Sequence, residues 1–128
     1  MPVTYSIDPV RKLIHTICSG PMTLAEVIDH FRTLSTDPMC VGDLDVLLDV
    51  DRAEGFPEVG ELGSVVTEVA KVSQNVRLGL CAIIASNVTM FGMMRMFEVL
   101  SGRYFRASRV FRNTSDAQQW LDSHQIHS

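Results

Sequence analysis

The sequence predicts an α/β fold with one mixed five-stranded sheet and about four helices. Short apolar and β-branched runs alternate with segments of helical periodicity along the 128 residues. The first two extended runs are close enough to form an antiparallel hairpin. The later runs are separated by helices, which implies parallel pairing through right-handed crossovers. The length fits one domain, which we assign to residues 1–123, with a tail at 124–128 that is expected to fray.

The first part of the chain predicts a hairpin followed by a capped helix. The extended runs at 5–8 and 12–19 are expected to pair with each other. Thr23 and Glu26 have the spacing of a capping box, in which each side chain accepts a hydrogen bond from the backbone amide of the other residue. We therefore expect a helix that begins after Thr23 and ends near Ser35.

The middle of the chain predicts two further strands with a helix between them. A strand at 44–50 has an apolar centre that suits a position inside the sheet. A polar loop at 51–57 follows, in which Pro57 suits the first turn of a helix. The helix keeps an apolar stripe from Val59 to about Ser73, and the strand at 80–85 is wholly apolar, which indicates a central place.

The last part of the chain predicts a helix at 88–100, a fifth strand at 107–111 and a short closing helix. The strand at 80–85 and the following helix also explain a charge-free stretch at 78–94 that approaches membrane-spanning length. We therefore predict that the chain is not an integral membrane protein. The closing helix, which carries Trp120, completes the order ββαβαβαβα.

Composition argues against several classes of protein. The net charge of −4 opposes nucleic-acid binding, which needs clustered basic residues. Basic residues are enriched only at 103–112, around the fifth strand, and this indicates a solvated sheet edge. Cys18, Cys40 and Cys81 are odd in number and widely spaced, which argues for free thiols in a reducing compartment. With no secretion signal at the start, the expected location is the cytoplasm.

The sequence offers one weak candidate for a polar or cation site. Asp49, Asp51 and Glu54 lie at or beyond the carboxyl end of a predicted parallel strand, where ligands of open α/β sheets bind. Three carboxylates there could hold a hard cation such as Mg²⁺. The alternative is a solvated turn in which Asp49 accepts hydrogen bonds from backbone amides.

No other motif predicts a metal, a cofactor or nucleophilic catalysis. Cys81 leads into a strand, so we expect its thiol to be buried and inert. His30 is expected on the helix surface beside Glu26, one turn earlier.

The helix at 88–100 is the most informative segment, because it is rich in Met and apolar nearly all round. One stripe is predicted to cover the sheet: Met90, Met93, Phe97 and Leu100. Around it we expect a surface that meets a second subunit or lines a cleft for an apolar ligand: Phe91, Met94, Met96, Phe97 and Val99. The alternative is that a loop or the last helix covers these residues.

The order of these segments resembles the SpoIIAA-like (STAS/SEC14-domain-like) bacterial family, distant relatives of anti-sigma-factor antagonists. The residues that carry the resemblance are at 13–15, Gly20, 46–49, 82–85 and, most specifically, 110–121, a closing strand followed by a helix with Ala117, Trp120 and Leu121. The resemblance implies a β-α superhelix with most helices on one side of the sheet, and a binding or regulatory role instead of catalysis.

One departure from that family concerns regulation. Anti-sigma-factor antagonists carry a phosphorylatable Ser in the turn after the strand that corresponds to 44–50. Here the loop at 51–57 contains no Ser or Thr. No phosphorylation site is therefore carried over.

Three functional hypotheses follow. The first is a non-catalytic regulatory or protein-interaction module that acts as a homodimer through the Met-rich helix. The second is a carrier or sensor of a small apolar, lipid-like ligand. We expect no cofactor. The third is an enzyme with hydrolytic or metal-assisted activity. It is disfavoured because only Asp49, Asp51 and Glu54 offer convergent polar groups.

Overall fold

Five strands alternate with four α-helices in the predicted order, in a computed structural model that describes residues 3–55 and 58–124. The elements are β1 Val3–Asp8, β2 Leu13–Gly20, α1 Leu24–Thr36, β3 Gly42–Ala53, α2 Leu62–Ser73, β4 Val76–Ile84, α3 Val88–Ser101, β5 Ala107–Phe111 and α4 Thr114–His124. The predicted helix start at Pro57 and residues 125–128 of the predicted tail at 124–128 lie outside the described residues.

The strands lie side by side in chain order, from β1 at one edge of the sheet to β5 at the other. β1 pairs antiparallel with β2, and the three remaining pairs are parallel, as predicted. Because right-handed crossovers between neighbouring parallel strands all pass over the same face, α1, α2 and α3 form one layer. α4 comes after the last strand and packs on β4 and β5 from the opposite face.

The core is divided by the sheet into two parts. Residues that alternate along the strands, such as Val50, Cys81 and Ile83, face the three-helix layer. Strand residues that point to the opposite face, such as Leu47, Ala82 and Ile84, face α4 and pack around Leu121 and Trp120. The initial helix has the predicted capping box: the Thr23 hydroxyl accepts from the Glu26 amide at 3.2 Å, and Glu26 Oε1 accepts from the Thr23 amide at 3.0 Å.

β3 is longer than predicted. It continues through Asp51 and Arg52, which the sequence placed in a loop, to Ala53. The extension arises because β2 resumes its pairing after a register shift, with Ser19 opposite Arg52, and the Glu54 amide then donates to the Gly20 carbonyl oxygen at 2.9 Å. His124, predicted to fray, is the last residue of α4.

A buried carboxylate holds β3 and β4 together where their register shifts. Asp45 is 0% exposed, and its Oδ1 accepts a hydrogen bond from the Leu80 amide at 2.7 Å. The carboxylate lies against Gly79, so close that an added Cβ would collide with it. The Gly79 carbonyl oxygen accepts from the Arg106 amide at 2.8 Å, which extends this arrangement towards β5. A side chain at position 79 is thus incompatible with the observed pairing.

None of the helices in residues 3–55 and 58–124 combines the length and the apolar character needed to cross a bilayer. The charge-free stretch at 78–94 is divided between β4 and α3, as predicted.

The contact between Asp45 and Gly79 leads to a stability prediction. Gly79→Ala should lower the free energy of unfolding by about 2 kcal/mol, because the new methyl group displaces a buried, hydrogen-bonded carboxylate. Urea unfolding followed by circular dichroism measures the change. The matched control is Gly63→Ala in α2, where an added Cβ meets nothing within 4 Å and helix propensity should give a small gain in stability. Equal stabilities of the two variants would contradict the proposed role of Asp45.

Candidate functional site

The carboxylates at the end of β3 are engaged in local hydrogen bonds. Asp49 Oδ1 accepts from the Asp51 amide at 2.9 Å, which is the turn-like role considered as the alternative to a cation site. Asp51 Oδ1 accepts from the amide of Ser86 at 2.7 Å and from its hydroxyl at 2.6 Å. These two bonds tie the end of β3 to the turn between β4 and α3. They also hold the pKa of Asp51 below its usual value.

The cation hypothesis for Asp49, Asp51 and Glu54 is not supported. Within the part of the chain that the structure describes, no three His, Cys, Asp or Glu side chains come together in a group that could hold a metal ion. Asp49 and Asp51 each already accept a hydrogen bond from a main-chain amide.

An open groove of about 410 Å³ lies beside these residues at the carboxyl ends of β3 and β4. Its polar side chains come from Asp51, Glu54, Ser86, Asn87 and Thr89, and Met90 and Met93 supply apolar surface. Asn87 is already used as the N-cap of α3, since its Oδ1 accepts from the Met90 amide at 3.1 Å. The lowered pKa of Asp51 makes that carboxylate a weak base. The polar ligand expected at the end of β3 stays a prediction.

Helix α3 presents apolar side chains on two opposite faces. The inner face packs on the sheet through Met90, Met94 and Phe97, at positions one turn apart. The outer face exposes four large apolar residues: Val88 (77%), Met96 (42%), Val99 (78%) and Leu100 (48%). Gly92 lies between them on the same face, with nothing within 4 Å of the position where a Cβ would stand.

The predicted partner or ligand surface on α3 is only partly exposed. Met96 and Val99 are exposed, but Met94 (0%) is buried against the sheet. Phe97 (4%) is also buried, which agrees with its place in the stripe predicted to cover the sheet. The buried stripe is Met90, Met94, Phe97 and Ser101, and the half-buried Met93 packs beside it. Leu100 is exposed instead of covering the sheet, so the helix is rotated relative to the prediction. Phe91 is half-buried, and the Arg112 guanidinium lies 4.4 Å from its ring centroid.

An apolar cavity of about 60 Å³ lies between the sheet and the three-helix layer. Val46 and Leu48 on the central strand β3 face the helices but are only partly buried, because the cavity lies beside them. The sheet forms the floor, and α1 and α2, with Phe97 of α3, form the roof. The side chains that line it are Val3, Ile14, Thr16, Cys18, Met22, Val27, His30, Phe31, Leu34, Val46, Leu48, Val65, Val69, Val72, Leu78, Cys81, Phe97 and Phe105.

Two cysteines face this cavity, but neither is a nucleophile. Burial raises the pKa of Cys18 to about 12, with a further contribution from Asp49. Burial likewise raises the pKa of Cys81 to about 12, with a contribution from Glu98. Both side chains are thus protonated thiols at neutral pH and behave as small apolar groups. Cys18, Cys40 and Cys81 are all buried and free, and the expectation that Cys81 is buried is confirmed.

A largely buried carboxylate bridges α1 and α2 in the roof. Glu68 in α2 is 6% exposed. Its Oε2 accepts from Lys71 Nζ at 3.0 Å, and its Oε1 lies 3.6 Å from Arg32 Nε in α1. Since Arg32 and Glu68 belong to different helices, this contact crosses between α1 and α2 above the cavity.

His30 lies at the edge of the cavity and not on the open helix surface, so that prediction is wrong. Its ring centroid is 5.5 Å from that of Tyr5 in β1 and 5.0 Å from that of Phe31. The expected neighbour Glu26 is engaged in the capping box instead. Burial lowers the pKa of His30 to about 4, so the ring is neutral at pH 7. Sequence reasoning missed this because the periodicity of α1 does not reveal that β1 covers the face carrying His30.

Comparisons of the chain with protein-family models, with curated proteins and with solved structures find no match. The resemblance to the SpoIIAA-like family therefore stays a prediction that rests on the residues named above.

The neutral state of His30 leads to a prediction about pH. Because its pKa is lowered from 6.5 to about 4 in the folded protein, the unfolded chain binds the extra proton between these values. Stability should therefore fall by on the order of 3 kcal/mol as the pH is lowered from about 6.5 to 4.

Urea unfolding at several pH values measures this loss. His30→Gln should lack it, whereas His15→Gln, which replaces a half-buried histidine of β2, should retain it. The same loss of stability in wild type and His30→Gln would contradict the assignment.

Proposed function

We propose that the protein is a non-catalytic regulatory or interaction module of the STAS-like kind that acts as a homodimer through the outer face of α3. The observation that carries this proposal is the second apolar face of α3. The sheet needs only the face with Met90, Met94 and Phe97, yet Val88, Met96, Val99 and Leu100 remain exposed on the other side. A helix that is apolar on two faces is typical of one that is covered twice.

The outer face of α3 is also self-complementary. In an antiparallel pair of α3 helices centred between Gly92 and Met96, Met96 of one protomer lies over the partner's Gly92. Val88 then lies opposite the partner's Leu100. The open space at Gly92 accepts the Met96 side chain, and the two-fold axis repeats the contact. Each protomer thus supplies one knob and one hole, which supports a second copy as the occupant of this face.

The fold agrees with what the resemblance implies for architecture, and this supports a STAS-like assignment. The loop after β3 lacks Ser and Thr, so the proposed module does not switch partners by phosphorylation at that position. The hydrogen bonds that engage Asp49 and Asp51 favour binding over catalysis. The buried free thiols fit the reducing conditions of the cytoplasm, where we expect the protein to act.

Met96→Glu should convert the dimer into a folded monomer, because it places a carboxylate at the centre of the proposed interface, over the partner's Gly92. Sedimentation equilibrium or native mass spectrometry measures the mass, which for the wild type should be about twice 14.2 kDa. Val10→Glu is the control, since Val10 is 90% exposed in the turn between β1 and β2. A wild-type monomer, or a Met96→Glu variant that stays dimeric, would contradict the proposal.

A second candidate function is a carrier or sensor of a small apolar ligand, and the cavity above β3 favours it. No Lys, Arg, Asp or Glu side chain belongs to its lining, so the site suits an uncharged molecule. Its volume of about 60 Å³ is smaller than a cavity of roughly 150 Å³ that binds benzene. A longer, lipid-like ligand would require α1 and α2 to separate, which breaks the contact between Arg32 and Glu68.

The carrier hypothesis predicts that the protein purified from cells carries extra mass that is lost on denaturation. Val69→Phe, which places a larger side chain in the cavity wall, should remove this mass and leave the dimer intact. Native mass spectrometry measures both properties, and Val10→Phe is the control. Bare protein, together with no response of the cavity methyl NMR signals to added toluene, would exclude the carrier function.

A further inference from the structure

Four arginines surround β5 at the edge of the sheet. Among residues 103–112 every third residue is Arg, and none is acidic. All four side chains are exposed: Arg103, Arg106, Arg109 and Arg112. They make up more than a third of the 11 basic residues of a chain whose net charge is −4. The edge is thus strongly positive on a protein that is negative overall.

None of these four arginines forms an ion pair with a carboxylate across residues 3–55 and 58–124. Three of them instead lie over aromatic rings: Arg103 over Tyr104 at 5.5 Å, Arg109 over Phe111 at 5.3 Å and Arg112 over Phe91 at 4.4 Å. Arg106 Nη2 donates to the His124 carbonyl oxygen at 3.1 Å. These contacts orient the guanidinium groups and leave their charge uncompensated.

β5 is an edge strand of the sheet. Among the described strands, it pairs with β4 alone. An edge strand carries main-chain donors and acceptors that another extended segment can use, and several domains bind peptides in this way. A guanidinium group also matches a carboxylate with two parallel hydrogen bonds, which a lysine cannot do.

From these features we infer that the β5 edge binds an acidic segment of a partner protein, which adds to the sheet as a further strand. Carboxylates on the segment would pair with Arg103, Arg106, Arg109 and Arg112. This inference rests on the proposed function as an interaction module, for which it names the class of partner. It does not depend on the contact between α3 helices.

Two other occupants fit the edge less well. A second copy of the chain would bring two rows of arginines together, and like charges on an edge oppose such pairing. A nucleic acid would need basic residues over a wider area. Elsewhere in the described chain, Arg11, Arg32, Arg77 and Arg95 are each already paired with a carboxylate.

Fluorescence anisotropy with a labelled, Glu-rich peptide of about ten residues, which carries Glu on both faces when extended, tests the inference. The peptide should bind, and a matched peptide with Lys in place of Glu should not. The variant with both Arg106→Glu and Arg109→Glu should bind the acidic peptide at least about tenfold more weakly. Arg52→Glu, which makes the same change in an exposed arginine of β3, should bind like the wild type. A second double variant, with Arg106→Gln and Arg109→Gln, removes the two charges without reversing them. Weaker binding by this variant as well would show that the loss does not come from misfolding caused by the introduced Glu residues.

Two further measurements separate strand addition from simple charge attraction. An acidic peptide with methyl groups on alternate backbone nitrogens keeps its charge but cannot pair, so its binding should be lost. Hydrogen exchange should show protection of amides at 107–111 when the unmodified peptide binds. Equal binding of the methylated peptide, or tighter binding of a single-stranded oligonucleotide of equal charge, would overturn the inference.

The oligomeric state of the same samples distinguishes the two proposals. A dimer that fails to bind the acidic peptide overturns only the β5 inference. A monomer that binds it overturns only the dimer through α3.

Discussion

The arrangement of the molecule depends on one topological constraint. Parallel strands laid down in chain order and joined by right-handed crossovers place every crossover helix on the same face of the sheet. Three helices must therefore share one layer, and the opposite face is left to α4. The same constraint leaves β5 at an edge, gives α3 an outer side that no other crossover helix covers, and makes α1 and α2 span the central strands. The cavity lies where that span leaves Val46 and Leu48 incompletely covered.

Several carboxylates stabilise this architecture where apolar packing alone would not define it. Asp45 fills the irregular pairing between β3 and β4, Glu68 joins α1 to α2, and Asp51 fastens the end of β3 to the start of α3. A buried acceptor that lost its donor would keep the desolvation cost without the compensating bond, so these contacts are sensitive to single changes.

The surfaces that remain have different chemistry. The outer face of α3 is apolar and suits an identical helix, whereas the edge at β5 is cationic and disfavours one. The cavity is apolar and lined by groups that are uncharged at neutral pH, including the neutral His30 and two protonated thiols. A dimer through α3, an acidic segment at β5 and a small neutral molecule in the core would therefore use separate parts of the domain.

The sequence by itself determined the order and type of the elements and the capping box at Thr23, since periodicity and caps are local properties of the chain. Only the tertiary structure decided which side of α3 faces the sheet. The helix is apolar nearly all round, and its rotation depends on what the sheet offers, so Met94 lies against the sheet and Leu100 is exposed, the reverse of the prediction. The inward position of His30 and the contact of Asp45 with Gly79 are likewise tertiary. Both arise from residues far apart in the chain, and no local pattern records which distant backbone will lie beside a given side chain.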